Sequence, residues 1–282
     1  RPPPISTLFP STTLFRSRQF FGWQSTPFTK EIPTSQLYPS ASFQECVARL
    51  NYMAKNRLFG LVTGEIGAGK STAIRALRDG LDLNKHRFMY LCDSSLKPRD
   101  FYRELLHQFG IVPQHVRSEA KRQFERAVWD FYDSQQKVAV VVIDEAHLLQ
   151  GDMLQEIRFL TNFQIDSISP ISLIMVGQPE LRTTLQMRVF KPITQRMNIR
   201  YHLGGFELEE TRKYVEHQLQ VAGALHPVFT KEAIDAVYAH TRGIAREVNN
   251  VCTACLLDAV VRKEKLIDAI HVARILTEYK DN

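Results

Sequence analysis

Two short stretches hold the residue types from which phosphate chemistry is built. The first is GEIGAGKS, Gly64–Ser71. It satisfies G-x-x-x-x-G-K-[ST], a spacing whose glycines let the backbone wrap and aim successive amide N–H groups at phosphate oxygens. Gly64, Glu65, Ile66, Gly67, Ala68 and Gly69 form that wrap. Lys70 follows as a cation for β- and γ-phosphates, Ser71 offers a hydroxyl to Mg2+, and Thr72 is placed for the α-phosphate. The second stretch is VAVVVIDEAHLL, Val138–Leu149, an apolar run that ends in two adjacent carboxylates. Asp144 is read as holding Mg2+ together with Ser71, and Glu145 as the group that orients and deprotonates an attacking water. The expected ligands are a nucleotide and Mg2+, and the expected chemistry is Mg-dependent hydrolysis of the nucleotide.

Three further residues complete the expected site. Gln178, in VGQPEL, lies where a polar side chain can sense the γ-phosphate. Arg196 stands just before a short strand, where an arginine can enter a neighbouring subunit's nucleotide and stabilise transition-state charge. Arg246, in TRGIAREVNN, falls in a first helical turn after Gly243 and is expected to reach back over the phosphates. His147 is read as a polar residue in the turn leaving the sheet. The letters Asp144-Glu145-Ala146-His147 also spell the signature of one group of nucleic-acid helicases, but such an enzyme needs a second strand-bearing domain, and the residues after 206 read as helical.

These residues need elements to hold them. RLFGLVTG (57–64), RFMYLCD (87–93), the run at 138–143, ISLIMVG (171–177) and IRYHL (199–203) read as strands alternating with helices near 41–55, 70–81, 98–109, 117–135, 151–163 and on to Met197. That alternation predicts an α/β fold with a five-stranded parallel sheet covered by helices on both faces, and the loop Gly64–Ser71 makes it a P-loop NTPase core. From 206 to 282 only helical patterns follow, at 208–222, 229–240, 244–262 and 265–279, which predicts a small all-helical lid. The expected division is an arm over 18–41, a core over 42–205 and the lid over 206–282.

Residues 1–17 stand apart. TLFPSTTLFRS (7–17) resembles, but for one residue, a translated short-read sequencing adapter, so 1–17 is read as non-native. Without its two arginines the net charge falls from +6 to +4, an excess that permits nucleic-acid binding without requiring it. Hydrophobic content of 44% and charged content of 23% are those of a globular chain, and no apolar run is long enough for a membrane span. Cys252 and Cys255 have the spacing of half a zinc site, yet nothing completes it and the pair lies in a helical pattern. Reduced thiols and a cytoplasmic location are expected.

Taken in order, Gly64–Ser71, Asp144–His147, Gly177-Gln178-Pro179-Glu180-Leu181, Gln195-Arg196 and Gly243-Ile244-Ala245-Arg246 resemble an AAA+ ATPase of the ExeA-type group. That group includes secretion ATPases and the ATPase helpers of bacterial transposons. The resemblance covers 19–280, including the arm FFGWQSTPF; one departure is Ala245, where the group more often has Pro. It implies side-by-side assembly into a ring or filament, with Arg196 completing an adjacent site and the adenine base between Leu37–Pro39 and the lid. Two roles share this engine: a transposition helper that assembles on double-stranded DNA and regulates a transposase, or assistance to assembly of a secretion system. Because EYKDN closes the chain after the last lid helix, the transposition helper is the expected role. Lys97, Arg99 and Arg103, with Phe101 and Tyr102 among them, are the candidate DNA contacts. A nucleotide-bound scaffold without turnover would need Glu145 to be idle.

Overall fold

The computed structural model describes residues 17–93, 97–160 and 168–280. All of the adapter-like segment except Ser17 therefore lies outside the described residues, as does the end expected for the helix near 151–163. The chain forms two compact units, one of Ala41–Gly204 and one that joins the arm up to Ser40 with the chain from Gly205.

The first unit is built on five parallel strands: β1 (Phe59–Gly64), β2 (His86–Leu91), β3 (Val138–Ile143), β4 (Ile171–Gly177) and β5 (Ile199–Leu203), in the order β2-β3-β4-β1-β5. The near-continuous apolar run of β3 reflects its place inside the sheet. Ala139, Val141 and Ile143 join one core, while Val140 and Val142 join another on the opposite face. Helices α1 (Ala41–Asn56) and α2 (Lys70–Gly80) cover the Val140 side with Leu50, Met53, Ile74 and Leu77. Helices α3 (Pro98–Phe109), α4 (Arg117–Asp133) and α5 (Gly151–Leu160) cover the Val141 side. Each large side chain buried this way contributes about 1.5–3 kcal/mol. A sheet covered on both faces leaves its strand ends as the place for chemistry.

The helical stretch expected to run to Met197 is broken into α6 (Glu180–Gln186), a 3-10 turn (Arg188–Phe190) and α7 (Lys191–Thr194). Met187 is extended, with φ −60° and ψ 142°. Pro192 sits in the first turn of α7, where its missing N–H leaves no helical bond unmade.

The second unit packs α8 (Leu208–Ala222), α9 (Lys231–Thr241), α10 (Ala245–Arg262) and α11 (Ala269–Lys280) around one core. The arm belongs to that core: Trp23 and Phe28 are buried in it, and the Gln24 N–H donates to the Ala222 carbonyl at 2.9 Å. Cys252 and Cys255 lie buried on α10, and burial pushes the Cys255 thiol up to about 12. Gly243 has φ +73°, and a Cβ there would lie 1.9 Å from the Phe206 carbonyl oxygen. No helix among the described residues is long and apolar enough to cross a membrane.

One buried carboxylate ties three helices of the first unit together. Glu156 on α5, 2% exposed, accepts from Tyr102 Oη on α3 at 2.6 Å, from Lys121 Nζ on α4 at 2.9 Å, and from Arg117. Burial opposes its charge, but the three donors outweigh that and hold its carboxyl below the ordinary 4.5. Its stabilising contribution is therefore whole above pH 4.5 and is lost as pH falls through the lowered value. Glu156→Gln is expected to cost about 3 kcal/mol at neutral pH. In urea titrations it should also flatten the loss of stability on the acid side of that value; an unchanged acid limb would contradict the arrangement.

Candidate nucleotide site

The loop that joins β1 to α2 is shaped by its glycines. Gly67 and Gly69 take φ of +84° and +103°, a region that side chains with a Cβ enter only under strain. Gly64 packs against the backbone of β5, where a Cβ would stand 2.5 Å from the Leu203 carbonyl oxygen. Lys70 is buried, and its Nζ donates to the carbonyls of Gly64 at 2.7 Å and Glu65 at 2.9 Å. The ammonium thus spans the loop from within. Glu65 and Ile66 are exposed at the tip, Ala68 is buried, and Ser71 and Thr72 begin α2.

Across from this loop, β3 delivers Asp144. Its carboxylate is 5% exposed and fully engaged. Oδ1 accepts the Glu145 N–H at 2.8 Å; Oδ2 accepts Tyr90 Oη at 2.8 Å and Ser71 Oγ at 3.3 Å. Ser71 and Asp144, assigned together from the sequence, are thus brought together. Hard oxygen donors from a hydroxyl and a buried carboxylate suit Mg2+, so the residues present fit the expected ion. Tyr90 was not apparent from the sequence. It lies near the carboxyl end of β2, opposite Val142 of β3 in register, and only the pairing of those strands brings it to Asp144. Burial and the Asp144 hydrogen bond both raise the Tyr90 hydroxyl pKa, so it stays a donor.

Glu145 departs from the strand geometry. Its φ of +50° is left-handed, and its Oε2 stands 3.4 Å from His147 Nδ1. His147 lies in a 3-10 turn, Ala146–Leu148, with an 11% exposed side chain, and its Nδ1 also lies 3.4 Å from the Gln178 backbone nitrogen. His147 thus lies in the turn leaving the sheet, as expected, and there also contacts two of the expected site residues. Gly177 ends β4 beside it; a Cβ there would be 3.1 Å from the His147 nitrogen.

Arg196 lies elsewhere on the same unit. It is half-buried, its Nη1 donates to the Arg158 carbonyl at 3.0 Å, and it shares a cavity with Phe59, Ile171 and Asn198. Those residues mark the starting ends of β1, β4 and β5, whereas Gly64, Asp144 and Gly177 mark the finishing ends. The six residues of β1 span about 20 Å at 3.3 Å each. Arg196 cannot reach the loop of its own chain.

On the helical unit Arg246 is exposed in the first turn of α10, which Ala245 opens without the proline more usual in the group. Tyr38 of the arm packs on Phe206, Tyr214 and His217, and His217 Nε2 meets the Gln36 carbonyl at 2.9 Å. Lys97 and Arg99 are exposed at the start of α3, and Arg103 lies 3.8 Å from Asp100 in an i,i+3 pair. With Asp100 and Glu104 in that patch, its charge is partly offset.

The Tyr90 hydrogen bond is charge-assisted, so Tyr90→Phe is expected to cost about 1–2 kcal/mol in urea unfolding. The same change in an Asp144→Ala background should cost nearly nothing. Equal costs in both backgrounds would show that the hydroxyl does not act through Asp144.

Residues 53–185 match the AAA_22 family of AAA domains. The chain is 33% identical over 249 residues to General secretion pathway protein A of Aeromonas hydrophila, covering 86% of this chain. It spans 45% of that relative's length. Among solved structures it resembles Drosophila ORC bound to DNA, at TM-score 0.68 and 16% identity over 99% of this chain and 68% of that one. It also resembles Cdc6p of Pyrobaculum aerophilum, at TM-score 0.60 and 16% identity over 84% and 68%, and the Thermotoga maritima RuvB Holliday junction branch migration motor, at 0.56 and 16% over 83% and 68%. At such identities the likeness is one of fold. With its glycine loop, acidic strand end and β2-β3-β4-β1-β5 sheet, the chain has the fold of a P-loop NTPase, matches the AAA domain family over residues 53–185 and is similar to the ExeA-type group.

Proposed function

We propose that this chain binds and hydrolyses ATP with Mg2+ and acts as a switch in an assembly of its own copies. The observation that carries the reading is the meeting, at one sheet edge, of the wrapped loop, the buried Lys70 and the Ser71–Asp144 pair. Backbone amides of Gly64–Gly69 face the phosphates, Lys70 neutralises the β- and γ-phosphates, and Thr72 faces the α-phosphate. Ser71 and Asp144 would hold Mg2+, which would supply neutralisation of charge on the phosphate oxygens. Glu145 aligns a water with the γ-phosphorus and takes its proton. The bond to the β–γ bridging oxygen breaks, leaving ADP and inorganic phosphate. Gln178 senses the γ-phosphate, and the family resemblance gives Arg246 the part of a phosphate-facing cation. Arg196 stabilises developing charge in the site of an adjacent copy, because its own site is out of reach.

Two roles for such a switch differ in partner. The named relative, a general secretion pathway protein, favours assistance to assembly of a secretion system. The transposition role, with a transposase and double-stranded DNA as partners, draws support from the motif set that both roles share and from a fold that also occurs in DNA-bound ORC.

Glu145→Gln should retain ATP while its turnover falls by a factor of about 100 or more, measured by phosphate release beside equilibrium nucleotide binding. Turnover at the wild-type rate would remove Glu145 from the chemistry. Duplex DNA titrated at low salt with a non-hydrolysable ATP analogue separates the two roles. Affinity with ordered assembly supports the transposition role, and its absence supports the secretion role.

A further inference from the structure

A single nitrogen faces two groups that make opposite demands on it. His147 Nδ1 lies 3.4 Å from Glu145 Oε2 and 3.4 Å from the Gln178 backbone nitrogen. A carboxylate only accepts, so a hydrogen bond to Glu145 requires a proton on Nδ1. A backbone N–H only donates, so a hydrogen bond from Gln178 requires a bare lone pair on Nδ1. One nitrogen cannot meet both demands at once.

The surroundings hold the ring at this branch point. Its side chain is 11% exposed. The left-handed Glu145 backbone turns that carboxylate back toward residue 147. Gly177, having no Cβ, lets the end of β4 approach the turn closely enough for the Gln178 N–H to reach the ring.

We propose that His147 is a positioning residue that couples Gln178 to Glu145 through two mutually exclusive hydrogen bonds. The inference rests on the ATP-hydrolysing reading given above. With the ring proton on Nε2, Nδ1 accepts from the Gln178 N–H and has no proton to offer Glu145, whose carboxylate is released to the attacking water. With the proton on Nδ1, the ring tethers Glu145 and lets go of the Gln178 backbone. Seating of Gln178 on a γ-phosphate favours the first arrangement, and departure of phosphate restores the second.

The test is steady-state ATP turnover on the full chain, with nucleotide affinity measured separately. His147→Ala should lower kcat about tenfold while nucleotide affinity changes less than about twofold. Asn can place a donor or an acceptor near the Nδ1 position, so His147→Asn should restore turnover to within about threefold of wild type, whereas His147→Gln should not. Gln178→Ala should slow the wild type but add less than about twofold to His147→Ala, since both act along one route. Wild-type kcat in His147→Ala, full multiplication of the two effects, or equal loss in the Asn and Ala variants would each overturn the coupling. Failure of the ATPase reading itself would look different: wild-type protein would show no turnover that Glu145→Gln removes. Ring-nitrogen NMR provides a second readout. Adding Mg2+ and a non-hydrolysable ATP analogue should move the His147 proton to Nε2, and an unchanged tautomer would contradict the proposal.

Discussion

The sheet of the first unit is buried on both faces, and that constraint shapes everything its loops present. Alternate residues of β3 enter two separate cores, so neither face of this strand is left to water. Parallel order then brings the finishing ends of β1, β2, β3 and β4 to one edge, where the glycine loop, Tyr90, Asp144 and Gln178 meet. A one-residue slip of β3 would exchange its two apolar sets and carry Asp144 to the wrong side. The same apolar packing that stabilises the sheet therefore sets the aim of its carboxylate.

Much of this was legible in the sequence where chemistry is local in the chain. The loop Gly64–Ser71 contains its own turn, its own cation and its own hydroxyl within eight residues, so its geometry depends little on the rest of the fold. The apolar run before Asp144 announced a strand buried on both faces. What stayed hidden depends on strand order or helix packing. Tyr90 reaches Asp144 only because β2 pairs with β3, and Glu156 collects donors from two other helices. His147 looked like an ordinary turn residue until Gly177 and Gln178 were seen beside it. The helix expected up to Met197 fails for a related reason: its apolar positions persist through a stretch where Met187 is extended and Pro192 starts a new turn.

The helical unit shows how an aperiodic segment acquires a fixed place. FFGWQSTPF carries no helical or strand period, yet Trp23 and Phe28 contribute to the core around α8–α11. Aromatic anchors in an irregular chain are paired with their pockets by the fold alone. Gly243 is the opposite case, since a crowded approach to Phe206 explains a glycine that already marked a break between helical patterns.

The proposed function leaves the site of one chain incomplete until Arg196 of a second copy enters it. Strand direction separates Arg196 from its own loop by the length of the sheet. The most direct measurement mixes two variants, Lys70→Ala and Arg196→Ala, each expected to be nearly inactive alone. In mixed assemblies, an intact loop from the Arg196→Ala chain meets an intact arginine from the Lys70→Ala chain. The account predicts that ATP turnover reappears on mixing and rises with total protein concentration. Turnover that stays at the level of the separate variants at every ratio and concentration would contradict it.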